Sequence, residues 1–188
     1  MGSVHEDATR WDERYRNFED VNASPPEPLG ELADLRALIP SHGTALDIAC
    51  GPGAQTLWLA DRGLHVTAID VSAVAIDRLR AAALTAGLAE RIDARRVDLD
   101  DGLPAEPRHV DVLVCQRFRN PALYGEMIER LDPGGIGIVT VLSAVGAPGG
   151  AFHAPPGELM AAFTQPGVEL LHATEADGVA TVMFQRAT

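Results

Sequence analysis

The fold is decided by one stretch of the sequence, residues 45–54, which reads ALDIACGPGA. Its apolar first half predicts a short buried strand over residues 44–49. Gly51 and Gly53 follow this strand and leave out side chains at a place where a ligand can approach the backbone. The helix predicted over residues 54–62 then begins with free N–H groups. The stretch therefore predicts a strand–turn–helix unit whose turn binds a ligand.

Strands and helices alternate regularly after this stretch. Two N-terminal helices are predicted, over residues 8–19 and between Pro28 and Pro40. The remaining helices are predicted over residues 54–62, 73–86, 121–131 and 157–163, and the strands over residues 44–49, 65–70, 93–99, 110–115, 135–142, 168–174 and 179–185. The step Asp177-Gly178 between the last two strands predicts an antiparallel hairpin.

This order predicts an α/β protein, a three-layer Rossmann-like sandwich with a seven-stranded, mostly parallel sheet that ends in an antiparallel hairpin. The length of 188 residues suits one domain over residues 1–188. Within that domain we expect an N-terminal helical lid over residues 1–40 and a Rossmann-like core over residues 41–188.

Charge and hydropathy exclude several partners. The net charge is −12 and no basic patch is visible, so nucleic acid and anionic membranes are not expected as partners. No apolar run approaches the roughly 20 residues of a membrane-spanning helix, and the polar N-terminus does not resemble a secretory signal. A cytoplasmic location is therefore expected. Cys50 and Cys115 are expected to be free buried thiols.

An acidic residue at the end of the second predicted strand points to a nucleoside. Asp70 follows Gly51 by nineteen residues, a spacing at which its carboxylate can take both ribose hydroxyls of an adenosine. Thr56 stands where dinucleotide-binding proteins use a third small residue, which argues against a nicotinamide cofactor. Asp47 suits a ligand with a positive amino group, such as the methionine end of S-adenosylmethionine (SAM). A nicotinamide oxidoreductase and a non-catalytic SAM-binding protein remain the alternatives.

At this point the chain resembles the class I SAM-dependent methyltransferases. The segment LDIACGPG, residues 46–53, is similar to their first motif, with Ala49 where the family often has glycine. The similarity continues through Asp70, through VDL at residues 97–99 and through LDPGG at residues 131–135. A narrower resemblance is to the small tellurite-resistance and thiopurine-type methyltransferases. Its segments are WDERY at residues 11–15, RFRNP at residues 117–121 and PGEL at residues 156–159.

The resemblance implies SAM as cofactor and assigns its contacts. It places the methionine portion of SAM at the first turn, the ribose at Asp70 and the adenine beside Val71, with Asp98 and Leu99 at the adenine edge. Gln116 would lie under the sulfonium. Trp11 and Tyr15 would either cover the cofactor as part of a lid or pack in the core. The residues assigned to the first turn are Asp47, Ala49, Gly51 and Gly53.

The acceptor is less well specified. His153 and Glu158, in or just after the loop at residues 143–156, are the candidate catalytic bases. Alternatively, His153 is an ordinary surface histidine, and Glu158 is an acidic residue that stabilises the first turn of a helix. Methylation of an oxygen in a small molecule or saccharide is slightly favoured over methylation of a thiol or chalcogen. Mg²⁺ is a possible second cofactor, without assigned metal ligands. The protein is expected to be a monomer or a homodimer.

Overall fold

The structure is a computed structural model that describes residues 4–17 and 35–188. The chain divides after Pro104 into two compact units. The first unit contains the predicted glycine turn, and the second contains the predicted acceptor loop.

The first unit consists of three parallel strands and the helices that connect them. Its elements are α1 (Val4–Arg16), β1 (Thr44–Ile48), α2 (Ala54–Arg62), β2 (His65–Asp70), α3 (Ala73–Ala86) and β3 (Ile92–Arg96). Strand β2 pairs in parallel with both β1 and β3. A buried cluster joins α3 to the sheet through Ala68, Ile76, Leu79 and Ala94. Helix α3 forms this contact because its apolar residues recur at helical spacing.

The second unit begins with two parallel strands and ends with an antiparallel hairpin. Its elements are β4 (Val110–Gln116), α4 (Tyr124–Glu129), β5 (Leu131–Leu142), α5 (Glu158–Phe163), β6 (Val168–Ala176) and β7 (Val179–Arg186). Strand β4 pairs in parallel with β5, and β7 runs antiparallel to both β5 and β6. The seven strands follow the order β3-β2-β1-β4-β5-β7-β6. The predicted fold class is therefore confirmed.

Several predicted bounds were wrong. Strand β3 ends at Arg96 rather than at residue 99, because the chain turns into a short 3₁₀ helix, Leu99–Asp101, whose first turn is capped by Asp98. Helix α4 ends at Glu129, and β5 already begins at Leu131. The second predicted N-terminal helix lies mostly outside the described residues, and residues 35–38 form a 3₁₀ turn.

The hairpin between β6 and β7 turns over two residues, Asp177 and Gly178. Both have left-handed backbones, with φ values of 49° and 82°. Positive φ at both positions is the feature of a type I′ turn, whose twist matches that of paired strands. Gly178 also exchanges hydrogen bonds with Ser143 and Val145, so the turn holds the start of the loop that leaves β5.

Within residues 4–17 and 35–188, no helix is both long and apolar enough to span a membrane.

The backbone of Gly178 generates a stability prediction. A Cβ at Gly178 would lie 2.8 Å from the Cβ of Ala147, whereas a Cβ at Gly87, which also has positive φ, would meet nothing within 4 Å. We expect Gly87→Ala to lower the free energy of unfolding by about 1 kcal/mol, the cost of a left-handed alanine. Gly178→Ala should cost about 2–3 kcal/mol, because a steric clash adds to that cost. Urea unfolding of the two variants measures both values, and equal losses would contradict the clash.

Candidate active site

The turn after β1 has an unusual backbone. Ala49, Gly51 and Gly53 all adopt positive φ, at 54°, 54° and 91°. A Cβ at Gly53 would lie 2.2 Å from a methyl carbon of Leu79, so α3 packs directly against the turn. Ala49 occupies a conformation that costs an L-residue roughly 1–2 kcal/mol. Strain of this kind is often retained at functional sites.

Asp70 connects the turn to the end of β2. Its Oδ2 accepts a hydrogen bond from the Gly51 N–H at 2.9 Å, and its Oδ1 accepts one from the Ser72 N–H at 2.8 Å. The carboxylate is buried, and this burial raises the pKa of Asp70 above its ordinary value although the two N–H donors oppose the shift. Each carboxylate oxygen has a second lone pair, so Asp70 can hold the turn and still accept bonds from a ligand.

Asp47 lies in the core of β1 beside the same turn. Its Oδ2 accepts a 2.5 Å hydrogen bond from the hydroxyl of Thr56, and its side chain is almost completely buried. Burial raises the pKa of Asp47 to about 7, and the hydrogen bond from Thr56 offsets only part of that effect. In the sequence, Thr56 serves only as an argument against a dinucleotide. The structure shows that its hydroxyl is the hydrogen-bond donor to Asp47.

Helix α1 is attached to this site through Asp12, an acid to which the sequence motifs assign no role. Asp12 Oδ1 accepts a 2.5 Å hydrogen bond from the Ser72 hydroxyl and a 3.2 Å bond from the Val74 N–H, at the start of α3. Burial opposes the charge of Asp12, but these two hydrogen bonds, together with the charges of Arg16 and Arg96, leave its pKa below the ordinary value. Asp12 is part of the segment at residues 11–15, and that position was the only available signal in the sequence.

The aromatic residues of α1 lie over the turn. A Cβ at Gly51 would be 2.9 Å from the hydroxyl of Tyr15, and the stacked rings of Tyr15 and Trp11 have centroids 5.8 Å apart. Burial, followed by the nearby charge of Asp70, raises the pKa of Tyr15. Trp11 and Tyr15 therefore lie beside the predicted cofactor residues, which fits both alternatives, a lid over the cofactor and packing in the core.

The remaining predicted contacts of the first unit lie at the ends of β2 and β3. The carbonyl of Val71 accepts a 3.0 Å hydrogen bond from Arg96. Asp98 Oδ1 accepts a bond from the Asp100 N–H at 2.9 Å, and Leu99 is buried. These residues follow the carboxyl ends of parallel strands, the edge at which ligands bind in open α/β sheets.

In the second unit, Gln116 is the last residue of β4 rather than the residue after it. Its side-chain Nε2 is buried and has no hydrogen-bond partner in the described part of the chain. Buried donors without a partner are costly and therefore uncommon in folded proteins.

His153 lies in the loop between β5 and α5. Its ring Nδ1 is buried without a hydrogen-bond partner among residues 4–17 and 35–188, and its backbone N–H donates to Gly150. The loop is fixed at its base by Glu175, which accepts bonds from the Ser143 hydroxyl at 2.6 Å and from the Gly157 N–H at 2.8 Å.

Glu158, the other candidate base, is already engaged. Arg119 donates to both of its carboxylate oxygens, at 2.8 Å and 2.5 Å, and the hydroxyl of Tyr124 donates to Oε1 at 3.0 Å. The hydrogen bond from Arg119 is the main reason that the pKa of Glu158 lies below its ordinary value. A carboxylate stabilised in this way is a weak base, so the geometry favours a structural role for Glu158.

The described residues contain no group of three or more His, Cys, Asp or Glu side chains that could hold a metal ion. They therefore give no support to Mg²⁺ as a second cofactor.

Sequence comparison finds methyltransferases. Residues 45–135 match a family model described as a methyltransferase domain. The ubiquinone biosynthesis O-methyltransferase of Hahella chejuensis is 28% identical over 142 residues, which are 76% of this chain and 54% of that protein. The chain thus spans about half the length of the curated relatives it matches.

Structure comparison finds the same fold in proteins of different kinds. TehB from Haemophilus influenzae has a TM-score of 0.73 at 20% identity, over 95% of this chain and 67% of that chain. The [4+2]-cyclase SpnF also has a TM-score of 0.73, at 19% identity over 100% of this chain and 95% of that chain. A cyclase among the similar structures means that the fold alone does not fix a reaction.

The sheet order and the glycine turn held by Asp70 define a Rossmann-like protein with its glycine turn at the carboxyl edge of the parallel strands. Together with the methyltransferase domain matched over residues 45–135, they support a class I SAM-dependent methyltransferase.

The burial of Asp47 generates a prediction about proton release. With a pKa of about 7, Asp47 is partly protonated in the free protein near neutral pH. A ligand with a positive amino group favours the charged carboxylate and lowers this pKa. Binding of S-adenosylhomocysteine (SAH) near neutral pH should therefore release a fraction of a proton. Calorimetric titration in buffers of different ionisation enthalpy measures this release, and Asp47→Asn should abolish it.

The same pKa shift predicts how stability depends on pH. The pKa of Asp47 is higher in the folded protein than its ordinary value of 3.8, so its contribution to stability is complete below that value and is lost as pH rises through about 7. Asp47→Asn should therefore gain stability relative to the unchanged protein over this pH range. The exposed Asp77→Asn is the matched control, and it should change neither proton release nor this pH dependence.

Proposed function

We propose that this protein transfers the methyl group of SAM to an oxygen atom of a small-molecule acceptor. The observation that carries the proposal is the turn at residues 49–53, which Asp70 holds through the Gly51 N–H while Asp47 is buried beside it. The glycines of this turn let a ligand approach the backbone closely, and two acids lie beside it. Among the described residues, no cation contacts either acid.

The residues of the first unit fit the chemical groups of SAM. Gly51 and Gly53 allow the methionine portion to lie against the backbone, and the negative charge of Asp47 complements its ammonium. The unused lone pairs of Asp70 can accept the ribose hydroxyls. Val71, Asp98 and Leu99 would contact the adenine, and Trp11 and Tyr15 would cover the cofactor. Gln116, with its unused amide donor, is the candidate contact in the second unit.

Oxygen is proposed as the methylated atom for two reasons. The curated relatives that match the chain are named O-methyltransferases, and Nδ1 of His153 forms no hydrogen bond to any residue that the structure describes. When bound, SAM supplies a methyl group on a sulfonium, whose sulfur keeps the electron pair of the broken bond. His153 would take the proton of the acceptor hydroxyl, as a general base. A thiol acceptor needs such a base less, since thiolates form near neutral pH.

Asp70 provides the test of cofactor binding. In Asp70→Asn the carboxylate loses its charge and one acceptor oxygen, so SAH affinity should fall by about 2–4 kcal/mol, or roughly 30- to 700-fold. Titration calorimetry measures this change, and circular dichroism checks the fold, because Asp70 also binds two backbone N–H groups.

The exposed Asp77→Asn makes the same chemical change on α3 and should leave the SAH affinity unaltered. SAH should also raise the melting temperature of the unchanged protein, whereas NAD should not. The proposed function fails if neither SAM nor SAH binds, or if a folded Asp70→Asn binds SAH normally.

His153 provides the test of the acceptor chemistry. With an acceptor found by a screen of phenols, sugars and thiols with methyl-labelled SAM, His153→Ala should lower turnover by roughly 10²–10⁴ and leave SAH affinity unchanged. His172→Ala is the control, because His172 also has one buried ring nitrogen without a described partner but lies within β6. Normal turnover of His153→Ala would remove the base from the proposal and favour a thiol acceptor.

A further inference from the structure

An ion pair in the second unit joins the segment after β4 to the first residue of α5. Arg119 donates from Nε to Glu158 Oε1 at 2.8 Å and from Nη2 to Oε2 at 2.5 Å. The two side chains are 24% and 17% exposed, so the pair is shielded but still reachable from solvent. The hydroxyl of the buried Tyr124 donates to the same carboxylate at 3.0 Å.

Only one edge of the Arg119 guanidinium is used in this ion pair. A guanidinium presents five N–H donors on a rigid plane and can bind a planar oxyanion along either of two edges. Nε and Nη2 face Glu158, whereas Nη1 and the second N–H of Nη2 form no hydrogen bond to any residue that the structure describes. The free edge has the geometry for two parallel bonds to a carboxylate or a similar group.

The position of Arg119 is that of a ligand-binding residue. It follows Gln116, the last residue of β4, by three positions, and Glu158 follows the loop that leaves β5. Strands β4 and β5 are parallel, so both segments leave the sheet at its carboxyl edge, where ligands bind in folds of this type. Glu175 fixes the loop before α5 through Ser143 and Gly157, which keeps Glu158 in place.

We infer that the free edge of Arg119 binds an anionic oxygen group of the acceptor, and that Glu158 and Tyr124 are positioning residues that orient the guanidinium. The inference rests on the proposed methyltransferase function, because it names the class of acceptor for that reaction: a molecule with a carboxylate or another planar oxyanion. It also assigns to Glu158 a role other than that of a base.

An anionic acceptor of this acidic protein would need a local cation at its binding site. A net charge of −12 repels an anionic acceptor at long range, but salt screens this repulsion over about 8–10 Å. An arginine at the site then decides affinity at short range, since its charge persists at every physiological pH. The hydrogen bond from Glu158 raises the pKa of Arg119 further.

A pair of matched probes tests the inference by binding rather than by turnover. Benzoate and benzamide have the same ring but differ in charge, and each is titrated into the SAH-saturated protein with detection by NMR. We expect saturable benzoate binding that is at least about tenfold tighter than benzamide binding. Arg119→Gln should reduce this ratio to about one, and Arg119→Lys, a point charge without the planar edge, should give an intermediate ratio.

Two further variants separate recognition from structure. Tyr124→Phe should reduce the ratio of the two affinities about two- to threefold, because it loosens the carboxylate that orients Arg119; a purely structural role would lower only the melting temperature. Arg108→Gln is the control, since Arg108 is an exposed arginine of the same unit in an ion pair with Glu106, and it should leave the ratio unchanged.

The inference is overturned if benzoate does not saturate, if the two probes bind equally well, or if a folded Arg119→Gln keeps the ratio. SAH affinity is measured on the same samples and should not change in any of these variants. If the proposed function is wrong, the unchanged protein will not bind SAH. If only the present inference is wrong, SAH will bind but benzoate will not bind more tightly than benzamide.

Discussion

Two hydrogen bonds to the carboxylate of Asp70 hold the glycine turn of the first unit in place. They join the Gly51 N–H in the turn after β1 to the Ser72 N–H at the start of α3. Ser72 in turn donates to Asp12 of α1 and accepts from the Ala75 N–H. One carboxylate therefore links the glycine turn with α3 and, through Ser72, with α1.

The sequence was most informative where local chemistry decides the structure. The bounds of α2 and β2 were predicted correctly, because glycine caps and an apolar alternation specify them within a few residues. Ser72 was likewise identified as the cap of α3, and its side chain does accept the Ala75 N–H. The hairpin at Asp177-Gly178 was predicted from two residues whose backbones adopt positive φ.

The sequence was least informative where the partner lies far along the chain. The bond between Asp12 and Ser72 spans sixty positions, and that between Arg119 and Glu158 spans thirty-nine. Neither residue pair has a local pattern that distinguishes it from solvated charges on a helix or loop. For the same reason the sequence makes Glu158 a candidate base: its place beside the acceptor loop is visible in the chain, but its arginine partner cannot be deduced from spacing.

The acids Glu158 and Asp47 have opposite electrostatic environments. Glu158 has a resident cation in Arg119, and its pKa lies below the ordinary value. Asp47 is buried with a neutral donor, Thr56, and its pKa is raised to about 7. A buried acid without a cation costs the folded state stability as pH rises through its raised pKa. Under the proposed function, the ammonium of the SAM methionine portion would supply the missing charge, and the affinity of SAM would then include the free energy that the unpaired acid costs the free protein.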